Sequence, residues 1–76
     1  MTGRVRWSPS RMSDVESAVT NRRRVVLARR GTEFVVVATA LRTGGPSDIL
    51  VGRLPITGET LEFRLADLDE FHVLDS

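Results

Sequence analysis

The chain has 76 residues, of which 41% are hydrophobic and 28% are charged, as is usual for one small globular domain. It has no cysteine, no tyrosine and one histidine, and all 11 of its basic residues are arginines. This composition removes disulfides and most nucleophilic or acid–base chemistry, so we predict neither an enzyme nor a metal site or cofactor. No apolar run approaches the roughly 18 residues of a membrane span, and we predict a cytoplasmic protein.

Charge is distributed unevenly along a chain whose formal net charge is +1. Residues 1–30 hold eight arginines against two acidic residues, whereas residues 31–76 hold three arginines against eight acidic residues. Such asymmetry indicates a polyanionic partner for the first half. The alternative is that basic and acidic strands neutralise one another once the chain has folded.

The N-terminal segment mixes Gly, Ser, Pro and Arg without periodicity, and we predict a flexible arm over residues 1–12 and a folded domain over 13–76. Ser13 and Glu16 match a capping box, in which each side chain bonds the backbone N–H of the other residue. Apolar residues then recur at helical spacing: Val15, Ala18 and Val19. The pattern predicts a short helix at roughly 14–20.

Five segments that follow have the composition of β-strands: residues 22–30, 32–41, 48–54, 60–65 and 70–74. One helix followed by five short strands predicts a mainly β protein, a small five-stranded barrel. A tight turn at Arg30-Gly31 would place Leu27 opposite Phe34 and Val25 opposite Val36. The residues predicted to fill the barrel interior or to close its end are Leu27, Phe34, Val36, Ile49, Val51, Leu61, Phe63, Leu65, Phe71 and Val73.

The other face of the first hairpin is also apolar, because it carries Val26, Val35 and Val37. Such a face must be covered, by the N-terminal helix or by a partner. A homodimer through these three valines is therefore one expectation.

An arginine-rich segment is the main candidate for a binding site. Its members are Arg22, Arg23, Arg24, Arg29 and Arg30. We predict that they form a phosphate-tracking patch for RNA, in which Arg22, Arg24 and Arg30 share one strand face and Trp7 on the mobile arm stacks on bases. The alternative is that these arginines are solvated charges that discourage strand-to-strand aggregation.

The order of elements resembles the Sm-like and SH3-like barrels. Within that group, residues 13–74 are similar to the Rof family, small bacterial inhibitors of the termination factor Rho, above all in the segment GETLEFRLADL at 58–68. This resemblance implies a non-enzymatic adaptor in transcription or RNA metabolism that contacts Rho through acidic groups, here Asp14 and Glu16. The surrounding arginines would repel a basic RNA-binding surface, which favours RNA itself as the partner.

A second resemblance is to WYL domains, which are Sm-like regulatory barrels. Phe63-Arg64-Leu65-Ala66-Asp67-Leu68 fills the place of their FRLDRI segment, although Asp48-Ile49-Leu50 stands where Trp-Tyr-Leu would be expected. This resemblance implies a stand-alone barrel that senses a small ligand, with Arg53 and Arg64 as the candidate ligand-binding residues. A structural protein-interaction module is a third interpretation.

Overall fold

A computed structural model describes residues 5–74, which form one α-helix, one 3-10 turn and a single five-stranded antiparallel sheet. In chain order the elements are α1 (Pro9–Thr20), β1 (Arg24–Arg29), β2 (Thr32–Arg42), β3 (Ile49–Arg53), β4 (Thr60–Arg64), the 3-10 turn (Leu65–Asp67) and β5 (Glu70–Val73). The predicted mainly β fold with an N-terminal helix is confirmed. Within this part of the chain, no helix has the length and apolar character needed to cross a membrane.

The strands lie in the order β4-β3-β2-β1-β5. The first four strands form a meander, and the 3-10 turn then returns the chain so that β5 pairs with β1. Strands β4 and β5 are the two edges, and no hydrogen-bonded ladder joins them among residues 5–74. Closure into an Sm-like or SH3-like barrel therefore stays a prediction.

The predicted register of the first hairpin is confirmed. Leu27 pairs with Phe34 and Val25 pairs with Val36. Arg30 and Gly31 form the two-residue connection with φ of 54° and 80°. Two successive positive φ values are typical of the type I′ turn, whose twist matches that of the flanking strands.

The prediction that Ile49 and Val51 face the main core is wrong. Leu50 is fully buried in the core cluster, whereas Ile49 and Val51 point to the opposite face of the sheet, where Val51 is buried and Ile49 is half-buried. The physical reason is that three consecutive apolar residues carry no alternation, so composition does not specify which of them faces inward. The pairing specifies it instead, because Leu50 lies opposite the buried Phe63.

The predicted start of the helix is also wrong, because α1 begins at Pro9 and takes in residues 9–12 of the predicted arm. Ser8 is the N-cap residue, and its hydroxyl oxygen accepts a hydrogen bond of 3.3 Å from the backbone N–H of Arg11. Proline suits the first helical position because its φ is already helical and its missing N–H has no partner there. Ser13 and Glu16 therefore lie within the helix, where a capping box cannot form.

Replacing the observed N-cap residue and the predicted N-cap residue by alanine should change the free energy of unfolding in opposite directions. Ser8→Ala removes the acceptor for the Arg11 N–H and should lower the free energy of unfolding by about 1 kcal/mol. Ser13→Ala is the matched control, because exposed Ser13 lies inside α1 and alanine is the better helix former. Urea denaturation followed by circular dichroism measures both variants. A larger loss for Ser13→Ala than for Ser8→Ala would contradict the observed start of the helix.

Helix α1 packs on the inner face of the sheet, where its buried residues Val15 and Ala18 join the core cluster. The opposite face, called the outer face below, is not covered by the helix. Val26, Val35 and Val37 lie together on it, as their cross-strand pairing requires. Val35 is 43% exposed.

Candidate nucleic-acid interface

The connection between α1 and β1 is a Schellman motif with an arginine in the left-handed position. Arg23 N–H donates to the Ala18 carbonyl and Arg22 N–H donates to the Val19 carbonyl, the two bonds that define the motif. Arg22 has a φ of 52°, a conformation that glycine adopts freely and that other residues adopt at a cost. The exposed Arg22 side chain is thus displayed at a strained backbone position.

Arg24 and Arg53 are brought together on the outer face by the sheet register. Val37 pairs with Arg24 on one side and with Arg53 on the other, so the three residues form a row across β1, β2 and β3. The backbones of Arg24 and Arg53 are two strand spacings apart, which corresponds to about 10 Å. Both arginines are exposed, and Val37 between them is half-buried. Arg22, Arg24 and Arg53 are called the arginine site below.

The members of the arginine site have no carboxylate partner within residues 5–74, since Arg22, Arg24 and Arg53 form no ion pair there. Other arginines are paired: Arg42 with Glu62 at 2.6 Å, Arg64 with Asp67 at 3.2 Å and Arg11 with Asp14 at 3.9 Å. Neighbouring Arg23 is half-buried and donates from Nη2 to the Leu74 carbonyl at 3.3 Å. The arginine site is therefore positively charged and open to an anionic partner.

The remaining two arginines of the predicted patch lie at the other end of β1. Five residues separate Arg24 from Arg29, which corresponds to about 17 Å along a strand. Arg29 turns to the inner face, where its guanidinium lies 5.1 Å from the centre of the Phe63 ring. The backbone N–H of Arg30 donates to Asp69 at 3.0 Å.

The prediction that Arg22, Arg24 and Arg30 share one strand face is wrong. Arg22 and Arg30 lie outside β1, in the left-handed positions of the connections that flank it. Strand alternation therefore does not apply to them. For Arg22 the sequence carries no signal for this, because arginine is an unusual choice at a position with positive φ.

Trp7 is held against the domain and not presented on a mobile arm. Its indole Nε1–H donates to the Leu65 carbonyl at 2.8 Å, and its ring lies 5.6 Å from that of Phe71. The guanidinium of Arg11 lies 5.5 Å from the centre of the same Phe71 ring. These contacts tie the chain before α1 to the last part of the fold. A stacking role for Trp7 on bases stays a prediction.

The acidic pair predicted as a protein contact lies on the exposed side of α1. Asp14 and Glu16 are both exposed, and Asp14 is 3.9 Å from Arg11. Neither residue is in the first helical turn, because the helix begins at Pro9. Whether they contact a protein partner stays a prediction.

The two arginines predicted to hold a small ligand do not converge. Arg53 pairs with Thr60 and Arg64 pairs with Ile49, so they lie at opposite ends of the β3–β4 ladder. The separation along the strands is about 13 Å. Arg64 instead lines a groove of about 350 Å³ that also includes Arg42, Pro46 and Ile49. Both arginines of that groove already have carboxylate partners.

The sequence did not reveal that Arg53 lies in the same cross-strand row as Arg24, with Val37 between them. The signal that would have found it is the register of β2 with β3, which shifts between Ala38 and Ala40. An irregularity of this kind leaves one residue unpaired and changes which residues are opposite one another.

Comparison with known proteins finds no matching family model, no matching curated protein and no matching solved structure. The similarity to the Rof family and to WYL domains therefore stays a prediction.

Proposed function

We propose that this chain is a non-enzymatic adaptor of transcription or RNA metabolism that binds single-stranded RNA through the arginine site. The observation that carries this proposal is that Arg24 and Arg53 flank Val37 in one cross-strand row, with Arg22 two residues before Arg24 in the chain. All three are exposed, and none forms an ion pair within residues 5–74. Arginine presents a planar fork of donors that matches phosphate oxygens. Half-buried Val37, between two of them, adds an apolar surface for contact with a base or sugar.

Arg22 also has a left-handed backbone, which costs of order 1 kcal/mol relative to glycine. Arg30 has the same conformation outside the arginine site, so the two positions allow the effect of strain to be separated from the effect of RNA contact.

RNA is a better match to this site than a basic RNA-binding surface on Rho. Like charges across an interface cost free energy, and the arginine site would face such a surface with three positive charges. A single small ligand is also a poor match, because Arg24 and Arg53 lie in an open row on the sheet surface and not in an enclosed pocket. The phosphates of single-stranded RNA repeat along the chain, so successive phosphates can contact Arg24 and Arg53 in turn.

Titration of a fluorescently labelled single-stranded RNA at low salt tests the proposal, with Rho and a panel of mononucleotides as separate arms. Arg22→Gly should weaken RNA binding several-fold and raise the free energy of unfolding by about 1 kcal/mol, because it removes a phosphate contact and relieves the strain. Fluorescence anisotropy measures the binding, and urea denaturation measures the stability.

Arg30→Gly is the matched control. Arg30 has almost the same φ, 54°, but lies at the far end of β1. This variant should gain similar stability and keep its RNA affinity. Equal losses of RNA affinity in both variants would contradict a specific role for Arg22, because they would show that only the net charge matters. Tight binding of Rho without any binding of RNA would contradict the RNA-binding proposal and favour a protein adaptor.

A further inference from the structure

The outer face changes from basic to acidic along β1, and three rows of cross-strand neighbours show the change. The first row is Arg24, Val37 and Arg53; the second is Val26, Val35 and His72; the third is Ala28, Glu33 and Glu70. Successive rows are two residues apart, about 6.6 Å along the strands. The second row therefore separates a basic row from an acidic row, and it consists of the buried Val26, the exposed Val35 and the exposed His72.

This arrangement is complementary to itself. Two copies can stack outer face against outer face, related by a two-fold axis that runs perpendicular to the strands along the second row. The strands of the two copies are then antiparallel. The basic row of each copy then faces the acidic row of its partner. Arg24 would lie over Ala28 of the second copy, within one strand spacing of Glu33 and Glu70.

The alternative two-fold arrangement is unfavourable. An axis parallel to the strands would place basic rows over each other and acidic rows over each other, and like charges would then oppose association. Only the first axis brings the exposed Val35 of the two copies together with opposite charges on both sides. We infer that the outer face is the interface of an isologous homodimer with antiparallel strand directions, held by Val35 and by Arg24 against Glu33 and Glu70.

The interface is small. The three rows span about 13 Å along the strands and four strands span about 14 Å across them, so each copy buries well under the ~800 Å² of a standard interface. Glu70 also has a partner within its own chain, His72, at 3.6 Å. The dimer is therefore weak and sensitive to salt. It covers Arg24 and Arg53, so it is an alternative to the RNA-bound state.

A charge exchange between two variants tests the dimer in the absence of RNA, and so independently of the proposed function. Sedimentation velocity is measured from about 10 μM to about 1 mM, because a small interface predicts a dissociation constant in the micromolar range or above. Arg24→Glu and the double variant Glu33→Arg/Glu70→Arg should each be monomeric. An equimolar mixture of the two should form a dimer, because each end of the interface again joins opposite charges.

Glu16→Arg is the control for the charge change, since Glu16 lies on α1 and outside the outer face. It should dimerise as the wild type does, and circular dichroism should show that every variant is folded. Dimerisation that is restored only in the mixture supports the inference. A wild type that remains monomeric at about 1 mM, a dimeric Arg24→Glu variant, or a mixture that stays monomeric overturns it.

Discussion

Phe63→Ala should lower the free energy of unfolding by about 3–5 kcal/mol, which approaches the total stability of a small domain. Phe63 is fully buried, and its ring packs edge-on against Phe34 with 5.2 Å between the ring centres. The Arg29 guanidinium also lies over it. The truncation therefore removes apolar burial, an aromatic pair and a cation–π contact at once. Urea denaturation monitored by the fluorescence of Trp7 measures the loss.

Ile56→Ala is the matched control, since it also shortens a large apolar side chain. Ile56 is 97% exposed in the turn between β3 and β4, so its truncation should change stability by less than about 0.5 kcal/mol. Similar losses in the two variants would contradict the assignment of Phe63 to the centre of the core.

Gly52→Ala should cost about 1–3 kcal/mol because the core has no room for a methyl group there. A Cβ atom at Gly52 would lie 2.5 Å from Cγ2 of Val36 and 2.9 Å from its Cβ. Both residues are buried, and neither has space to move without displacing other core side chains. Gly45→Ala is the control, because its nearest contact would be a backbone oxygen at 4.0 Å, and it should be close to neutral.

The clash predicts a coupling between Gly52 and Val36. Val36→Ala removes the Cγ2 atom nearest to the added methyl group. The double variant should therefore lose less stability than the two single variants together, with a coupling of about 0.5–3 kcal/mol. Strictly additive losses would show that Gly52→Ala acts by another route, such as a change in strand register.

Strand positions and the first hairpin could be predicted from the sequence because the relevant signals are local. The Arg30-Gly31 turn and the alternation of Leu61, Phe63 and Leu65 each specify a register over a few residues. The orientation of β3 could not be predicted, since its three apolar residues do not alternate. It depends on pairing with β2 and β4, which is a property of the folded sheet.

The helix start and the candidate site show the same limit. Ser13 to Glu16 predicted the helix start, but the helix begins at Pro9, after Ser8, and Trp7 and Met12 on either side of this start pack on the core. The grouping of Arg53 with Arg24 depends on a register shift in β2 opposite β3. Such long-range consequences are not encoded in the spacing of arginines along the chain.

The salt dependence of RNA binding is the direct test of whether RNA binds at the arginine site. If the three guanidiniums of the arginine site neutralise three phosphates, the slope of log K against log salt should be about −2, since single strands give about −0.7 per phosphate. Arg22→Ser/Arg24→Ser should reduce the slope to about −0.7, whereas Arg42→Ser/Arg64→Ser, which removes the same charge from paired arginines, should leave it near −2. Absence of RNA binding by the wild type at low salt, or equal slopes in the two double variants, would contradict the assignment of RNA binding to the arginine site.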